Sequence, residues 1–287
     1  MLCRTTFMSA TAELFVKDGY TIVRCPRCGL VFRATLPGRG ELDEIYGRAY
    51  FGVGGSPLRE GYLDYVGDAD VHRTNARARL RRLAGLVEPG PLLDVGCAAG
   101  FFVDEASRAG WQARGVDVSR PMVDWGRAHL AADLRLGTLA DVPHDRDESC
   151  ITMWDYLEHA LDPRAEVQDA LSRLRPGGIL ALSTGDAGAA LARISLRRWH
   201  LMTPRHHNFF FTRRTIRALL ETVGLELLDL GHPAARFPLR YLAHKARLVL
   251  DAPLVAAVAT RLARSQAGGR AVPLNLWDVM TVVARRP

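Results

Sequence analysis

The chain has 287 residues, a net charge of +7, 48% apolar and 24% charged residues. That is room for one full α/β domain and a small appendage, with the composition of a globular chain. No apolar run reaches the roughly 20 residues of a spanning helix; the longest, Leu248 to Ala259, is broken by Asp251 and Pro253. The first residues lack the apolar core of a signal peptide, and five scattered cysteines form no disulfide framework. The expected location is cytoplasmic.

Charge is unevenly spread. Residues 187–220 hold seven arginines and no acid, and residues 234–270 hold six arginines, one lysine and one acid, Asp251. The body is therefore mildly acidic and carries two basic segments.

In chain order, short strands are predicted at Ala12 to Val16, Tyr20 to Arg24 and Leu30 to Phe32, the last two flanking Cys25-Pro26-Arg27-Cys28-Gly29. Glu41 to Tyr50 reads as a short helix, residues 52–57 as a loop, and Asp68 to Val87 as an arginine-rich helix ended by Pro89-Gly90-Pro91. Strand and helix then alternate, which predicts a parallel sheet covered on both faces. The strands are the run ending Pro91-Leu92-Leu93-Asp94-Val95-Gly96, then Gln112 to Val118, Leu134 to Gly137, Cys150 to Trp154, Ile179 to Thr184, Leu225 to Leu230 and Asp278 to Ala284. The helices are Phe101 to Ala109, Pro121 to Ala131, Pro163 to Leu174 and Thr212 to Val223.

The sharpest local signal is Leu92-Leu93-Asp94-Val95-Gly96-Cys97-Ala98-Ala99-Gly100, where a buried strand turns through small residues into a helix. Small residues let backbone approach a ligand, and a helix start offers unpaired N–H donors. Asp117 closes the next strand, about where an acid meets ribose hydroxyls. The spacing is D-x-G-x-x-x-G rather than the G-x-G-x-x-G of dinucleotide folds.

That loop resembles the first motif of class I S-adenosylmethionine-dependent methyltransferases. Ile151-Thr152-Met153-Trp154-Asp155-Tyr156-Leu157-Glu158-His159 resembles the family's fourth strand and its trailing turn. Leu174-Arg175-Pro176-Gly177-Gly178-Ile179-Leu180 resembles the approach to its fifth. The resemblance covers residues 91–287. It implies a Rossmann-like α/β sheet of seven strands with the last antiparallel, and S-adenosylmethionine as cofactor. It also implies cofactor contacts at Asp94, Gly96, Gly100, Asp117, Leu139, Asp141 and Asp155. Ala98 departs from the glycine many members carry. Tyr50, Tyr62, Tyr65 and Arg73, ahead of the sheet, are candidates to close over the cofactor or to pack the appendage.

The Cys25–Cys28 pair is half of a zinc-ribbon pattern. The only other N-terminal cysteine, Cys3, leaves the ligand set Cys3, Cys25 and Cys28 one short. Lys17 to Phe32 resembles the ribbon that precedes some methyltransferases of this type, in which Cys3 would be the second cysteine of a first pair. The expectation is that the native start lies upstream of Met1; the alternative is a ribbon held by apolar contacts. Cys97 and Cys150 read as small core residues. The expected organisation is a ribbon-like segment at 1–40, a helical connector and cofactor lid at 41–88, and the methyltransferase domain at 89–287, with basic amphipathic insertions at 187–211 and 234–270.

Methyl transfer to oxygen calls for a nearby base. His159, after the fourth strand, is the first candidate and His207 the second; each has a packing or loop-ordering role as the plain alternative. Both basic segments leave the carboxyl edge of the sheet and mix arginine with apolar residues. The first resembles the insertion of ubiquinone-type O-methyltransferases. The expected acceptor is a small molecule, amphiphilic or anionic, with contact at the inner membrane surface. An RNA methyltransferase with a zinc knuckle is one rival, weakened by the lack of an N-P-P-[YF] tetrapeptide after the fourth strand, so nucleic acid is not the favoured partner. A non-catalytic cofactor-binding scaffold is the other.

Overall fold

The computed structural model describes residues 12–47, 49–52, 61–250, 252–263 and 265–287. Cys3 and the expectation about the chain start lie outside them.

The chain opens with an antiparallel hairpin, β1 (Ala12–Lys17) and β2 (Tyr20–Arg24), continued by β3 (Val31–Arg33). The predicted helix from Glu41 is shorter than expected. A 3-10 turn at Arg39–Glu41 leads into one helical turn, α1 (Leu42–Ile45). The chain then turns at Gly47, where Tyr50 N–H bonds the Gly47 carbonyl. Tyr46 and Tyr50 meet edge-on at 5.3 Å, and both line the large cavity described below. α2 (Ala69–Leu83) stops before Val87 and buries Val71, Ala76, Leu80 and Leu83 along one stripe.

The main sheet follows as β4 (Pro91–Val95), α3 (Phe101–Arg108), β5 (Gln112–Asp117), α4 (Arg120–His129), β6 (Asp133–Leu136), β7 (Glu148–Trp154), α5 (Pro163–Arg173) and β8 (Leu174–Gly185). All seven residues of β7 are buried, as expected for a central parallel strand covered on both faces. Its buried Glu148 is paired with Arg114 and Arg146. β8 begins five residues earlier than predicted. Leu174 pairs with Glu148, and pairing with β7 resumes at Ile179 after Arg175-Pro176-Gly177-Gly178, where Gly177, at φ +76, donates its N–H to the Arg286 carbonyl and the Gly178 carbonyl accepts Arg286 N–H.

Next come α6 (Ala190–Ser195), β9 (Phe209–Phe210), α7 (Arg213–Val223) and β10 (Glu226–Gly231). Thr212 caps α7, and Gly224 ends it at φ +94. The second basic segment is a cap of β11 (Ala235–Pro238), α8 (Leu239–Leu250), α9 (Pro253–Ala263) and β12 (Ala271–Leu274), with β11 and β12 paired. β13 (Val279–Arg285) returns to the sheet.

The seven strands lie in the order β10-β13-β8-β7-β4-β5-β6, and β13 runs antiparallel to both neighbours. Strand order reverses beside β4, which opens a crevice past the carboxyl ends of β4 and β7. β3 also pairs with β9, so a second sheet of order β1-β2-β3-β9 joins the first strands of the chain to Phe209–Phe210, just ahead of α7.

Candidate active site

A cavity of about 1430 Å³ fills that crevice. On one side, β4 delivers the glycine loop. Gly96 and Gly100 hold φ of +77 and +82, and a Cβ on Gly96 would sit 2.6 Å from the Tyr156 ring. Ala98 between them is left-handed too, at φ +47, which strains any residue with a Cβ. The Asp117 carboxylate pins the loop, accepting Ala98 N–H at 2.8 Å and Ser119 N–H at 2.7 Å. Burial raises its pKa against those bonds. Asp94 lies beneath, 2% exposed, accepting the Thr152 hydroxyl at 2.6 Å; burial pushes it up to about 7.

Asp155, at φ +51, projects from the end of β7. Its carboxylate accepts the Ser183 hydroxyl at 2.9 Å and faces Arg79 at 3.3 Å. Leu139 and Asp141 lie differently from the other expected contacts. Leu139 points into the core, and Asp141 is spent capping its own 3-10 turn at Thr138. From that turn Thr138 and Ala140 line the cavity. Tyr50, Tyr62 and Tyr65 also line it, packing around Phe51 and Phe101. Arg73 instead ties α2 to α3 through buried Asp104 and Glu105.

The histidines meet on the far side of the cavity. His159 Nδ1 is 2.9 Å from the His206 carbonyl and 2.9 Å from the Tyr46 hydroxyl. A carbonyl only accepts, so Nδ1 carries the proton and Nε2 keeps its lone pair. His207 Nδ1 bonds the Leu201 carbonyl at 2.8 Å, which fixes the same tautomer. The two rings meet edge-on at 4.7 Å. Burial lowers His159 to about 4 and holds His207 well below its ordinary value, so both are neutral near pH 7. Beside them the buried Glu158 carboxyl is raised to about 8, by burial first and Asp155 second. One ligand atom each of Glu158, His159 and His207 lies within 4.8 Å of the others, a spacing that could surround one cation.

Cys25 and Cys28 sit in the β2–β3 knuckle, closed by Cys25 N–H to the Leu30 carbonyl and Gly29 N–H to the Cys25 carbonyl. Cys25 is buried and Cys28 packs against the main core. Cys97 and Cys150 are buried in the sheet.

Residues 68–230 match the family model of a methyltransferase domain. The chain belongs to the class I S-adenosylmethionine-dependent methyltransferases. Among relatives of this methyltransferase, the ubiquinone biosynthesis O-methyltransferase of Xanthomonas axonopodis pv. citri is 30% identical over 176 residues, spanning 56% of this chain and 73% of the relative. Its counterpart in Xanthomonas euvesicatoria pv. vesicatoria is 30% identical over 153 residues, covering 49% and 64%. The solved YcgJ protein of Bacillus subtilis shares the fold at a TM-score of 0.53 and 16% identity, covering 74% of the methyltransferase and 98% of that chain. A Bacillus halodurans structure assigned to the methyltransferases gives 0.53 at 18% identity, covering 73% and 98%.

S-adenosylmethionine, when bound, supplies a methyl group on a sulfonium sulfur. The residues present fit it: a loop kept open by glycines, an acid at the tip of β5, and an aromatic wall. Sequence reasoning missed Tyr46, Arg79, Ser183 and the pair His200–Asp278. Asp278 accepts both Trp199 Nε1–H and His200 Nε2–H at 2.7 Å. Burial acts to raise its pKa, but those two bonds prevail and hold it below the usual range. No local pattern marks such residues, because their partners lie many tens of positions away.

Proposed function

We propose that this methyltransferase methylates an oxygen of a small amphiphilic or anionic acceptor, with His159 as the base. The observation that carries this is the tautomer of His159, a residue lining the cavity: with its proton on Nδ1 facing the His206 carbonyl, the Nε2 lone pair is the one that can accept a proton. In that role His159 Nε2 would take the acceptor hydroxyl's proton as the acceptor oxygen receives the methyl group that bound S-adenosylmethionine would supply, leaving S-adenosylhomocysteine, and the imidazolium would pass the proton to water. The relatives named for ubiquinone O-methylation support an oxygen acceptor. The cavity exceeds the roughly 300–1,000 Å³ typical of a single small-ligand pocket and has room for an acceptor beside the cofactor.

The test is methyl transfer from S-adenosylmethionine to a panel of hydroxylated aromatic acids and their amine and thiol analogues. Methyl ethers as products, lost in His159→Gln, are expected. N-methyl products only, or full activity in the variant, would sink the reading.

Support for an amphiphilic acceptor comes from the exposed apolar residues Ile194, Leu196 and Trp277, at 82%, 63% and 67% exposure, with Arg193 and Arg197 alongside on the chain. Leu196 and Trp277 hold φ of +49 and +58, a strained backbone that exposes rather than hides them. Sedimentation with anionic vesicles should pull the protein down, and Ile194→Ser/Trp277→Ser should release it; equal sedimentation of both proteins would refute the surface contact. Among the described residues no helix is long and apolar enough to cross a membrane.

A further inference from the structure

We infer that the N-terminal hairpin is part of the catalytic apparatus, with Arg33 and Lys17 acting as positioning residues for the His159 imidazole. The inference rests on reading His159 as the base, but its test does not.

His159 Nδ1 faces the carbonyl oxygen of His206 at 2.9 Å, and the Tyr46 hydroxyl beside them donates to that same carbonyl, so the His206 carbonyl is the acceptor on which the tautomer turns. That carbonyl belongs to the run between α6 and β9, residues 196–208, a 3-10 turn at Leu196–Arg198 followed by further turns with bonds of their own, such as His206 and His207 N–H to the Thr203 carbonyl. Such turns fix local shape, and bonds from outside fix where the run sits against the rest of the fold. Three bonds do so from the hairpin. Arg33, 5% exposed on β3, donates its backbone N–H to the Asn208 carbonyl at 2.9 Å and its Nη1 to the Pro204 carbonyl at 3.1 Å. Lys17, at the end of β1, donates Nζ to the Met202 carbonyl. The anchored carbonyls, at 202, 204 and 208, bracket His206 on both sides.

The Arg33 guanidinium is itself held in place. Its Nε donates to the Thr35 carbonyl, and its plane lies over the Tyr20 ring at 4.5 Å. On the other side, Asn208 completes the connection. Its Nδ2 donates to the His159 carbonyl at 2.9 Å, and its backbone N–H donates to the Glu158 carbonyl at 2.8 Å. The run is thus clamped between the hairpin and the turn that carries His159. A guanidinium suits this task because its several fixed donors reach two carbonyls at once, which an ammonium does not do with the same geometry.

A role in stability alone would lower the melting point of an Arg33 variant and leave the imidazole unchanged. A positioning role changes which ring nitrogen is protonated, because a displaced His206 carbonyl no longer selects Nδ1–H. The experiment uses the full chain labelled with nitrogen-15 histidine, with the His159 resonances assigned by comparison with His159→Gln. Long-range proton–nitrogen spectra at neutral pH should show His159 protonated at Nδ1 alone. Arg33→Met should lose this single tautomer, with the Nε2 resonance moving toward the protonated range. Arg33→Lys should retain more of it. Lys17→Met should move in the same direction, and it supplies the test if Arg33→Met does not fold.

Affinity for S-adenosylhomocysteine, measured by calorimetry, should stay unchanged in all three. A folded Arg33→Met or Lys17→Met protein that keeps the Nδ1–H tautomer alone overturns the inference. The two readings fail separately. A tautomer shift in these variants together with full methyl transfer by His159→Gln keeps the positioning role and removes the base. An unmoved tautomer together with an inactive His159→Gln does the reverse.

Discussion

The Asp117 carboxylate accepts the backbone N–H of Ala98 at 2.8 Å, so the acid at the tip of β5 also shapes the turn after β4. Its other oxygen takes Ser119 N–H at 2.7 Å. Asp117 therefore holds together two loops that line the cavity. Asp117→Ala should weaken S-adenosylhomocysteine binding by at least about tenfold, roughly 1.4 kcal/mol. Calorimetric titration of the folded variant reads this directly; unchanged affinity would remove Asp117 from the site.

Ala98 carries the cost of that geometry. Its φ of +47 suits glycine, and a Cβ there costs about 1–2 kcal/mol. Ala98→Gly should therefore stabilise the fold by up to about 1 kcal/mol, part of the gain being offset by the greater freedom of glycine in the unfolded chain. Urea unfolding measures it. A loss of stability would mean that the Ala98 methyl makes contacts worth more than the strain.

Arg73 tests the docking of α2. It bonds Asp104 and Glu105, both nearly buried, at 2.5 and 2.7 Å. Arg77 and Arg108 also reach these acids, which softens the loss. Arg73→Ala should cost on the order of 3 kcal/mol, the usual penalty for leaving a buried charge short of its partner. Denaturant titration gives the number, and a cost below about 0.5 kcal/mol would place the pair among weak surface bridges.

With His159 as the proposed base, the pH dependence of catalysis is set by its imidazole. Its pKa is lowered to about 4, so the neutral imidazole needed as a base persists well below the ordinary histidine range. The acid limb of kcat/KM due to His159 should fall near pH 4, leaving the rate flat from about pH 5 to 7. A limb near pH 6.5 would show an ordinary, solvated histidine at work.

Glu158 gives the opposite dependence in stability. Its folded pKa is about 8 against 4.5 for the free group, so between those values the folded chain binds more protons than the unfolded one. Its contribution is complete below about pH 4.5 and fades as pH rises through about 8. Glu158→Gln should flatten this part of the stability curve, with the variant gaining on the native protein from pH 5 to pH 8. Parallel curves for the two proteins would contradict the assignment.

How much was legible varied with the range of the forces involved. The strand from Pro91 to Val95 and the helix from Pro163 announced themselves through apolar runs, prolines and caps, all of which act within a few residues. The Glu41 helix was overread because Tyr46 and Tyr50, which supplied part of its pattern, line the cavity past a turn at Gly47. Leu139 and Asp141 show the same limit within one turn. Family spacing brought the argument to the right segment, but backbone direction decided that Thr138 and Ala140 line the cavity.

The sequence by itself determined the α/β rhythm, the glycine loop and the acid that pins it, because turn chemistry and helix starts depend on neighbouring residues. Only the tertiary structure decided that β3 pairs with β9, that Arg33 braces the run behind His206, and that His159 carries its proton on Nδ1. Each of those depends on one polar group meeting another more than 40 positions away, in surroundings dry enough that an unpaired donor would be costly. Proximity of that kind comes from the packed fold as a whole, and no local pattern encodes it.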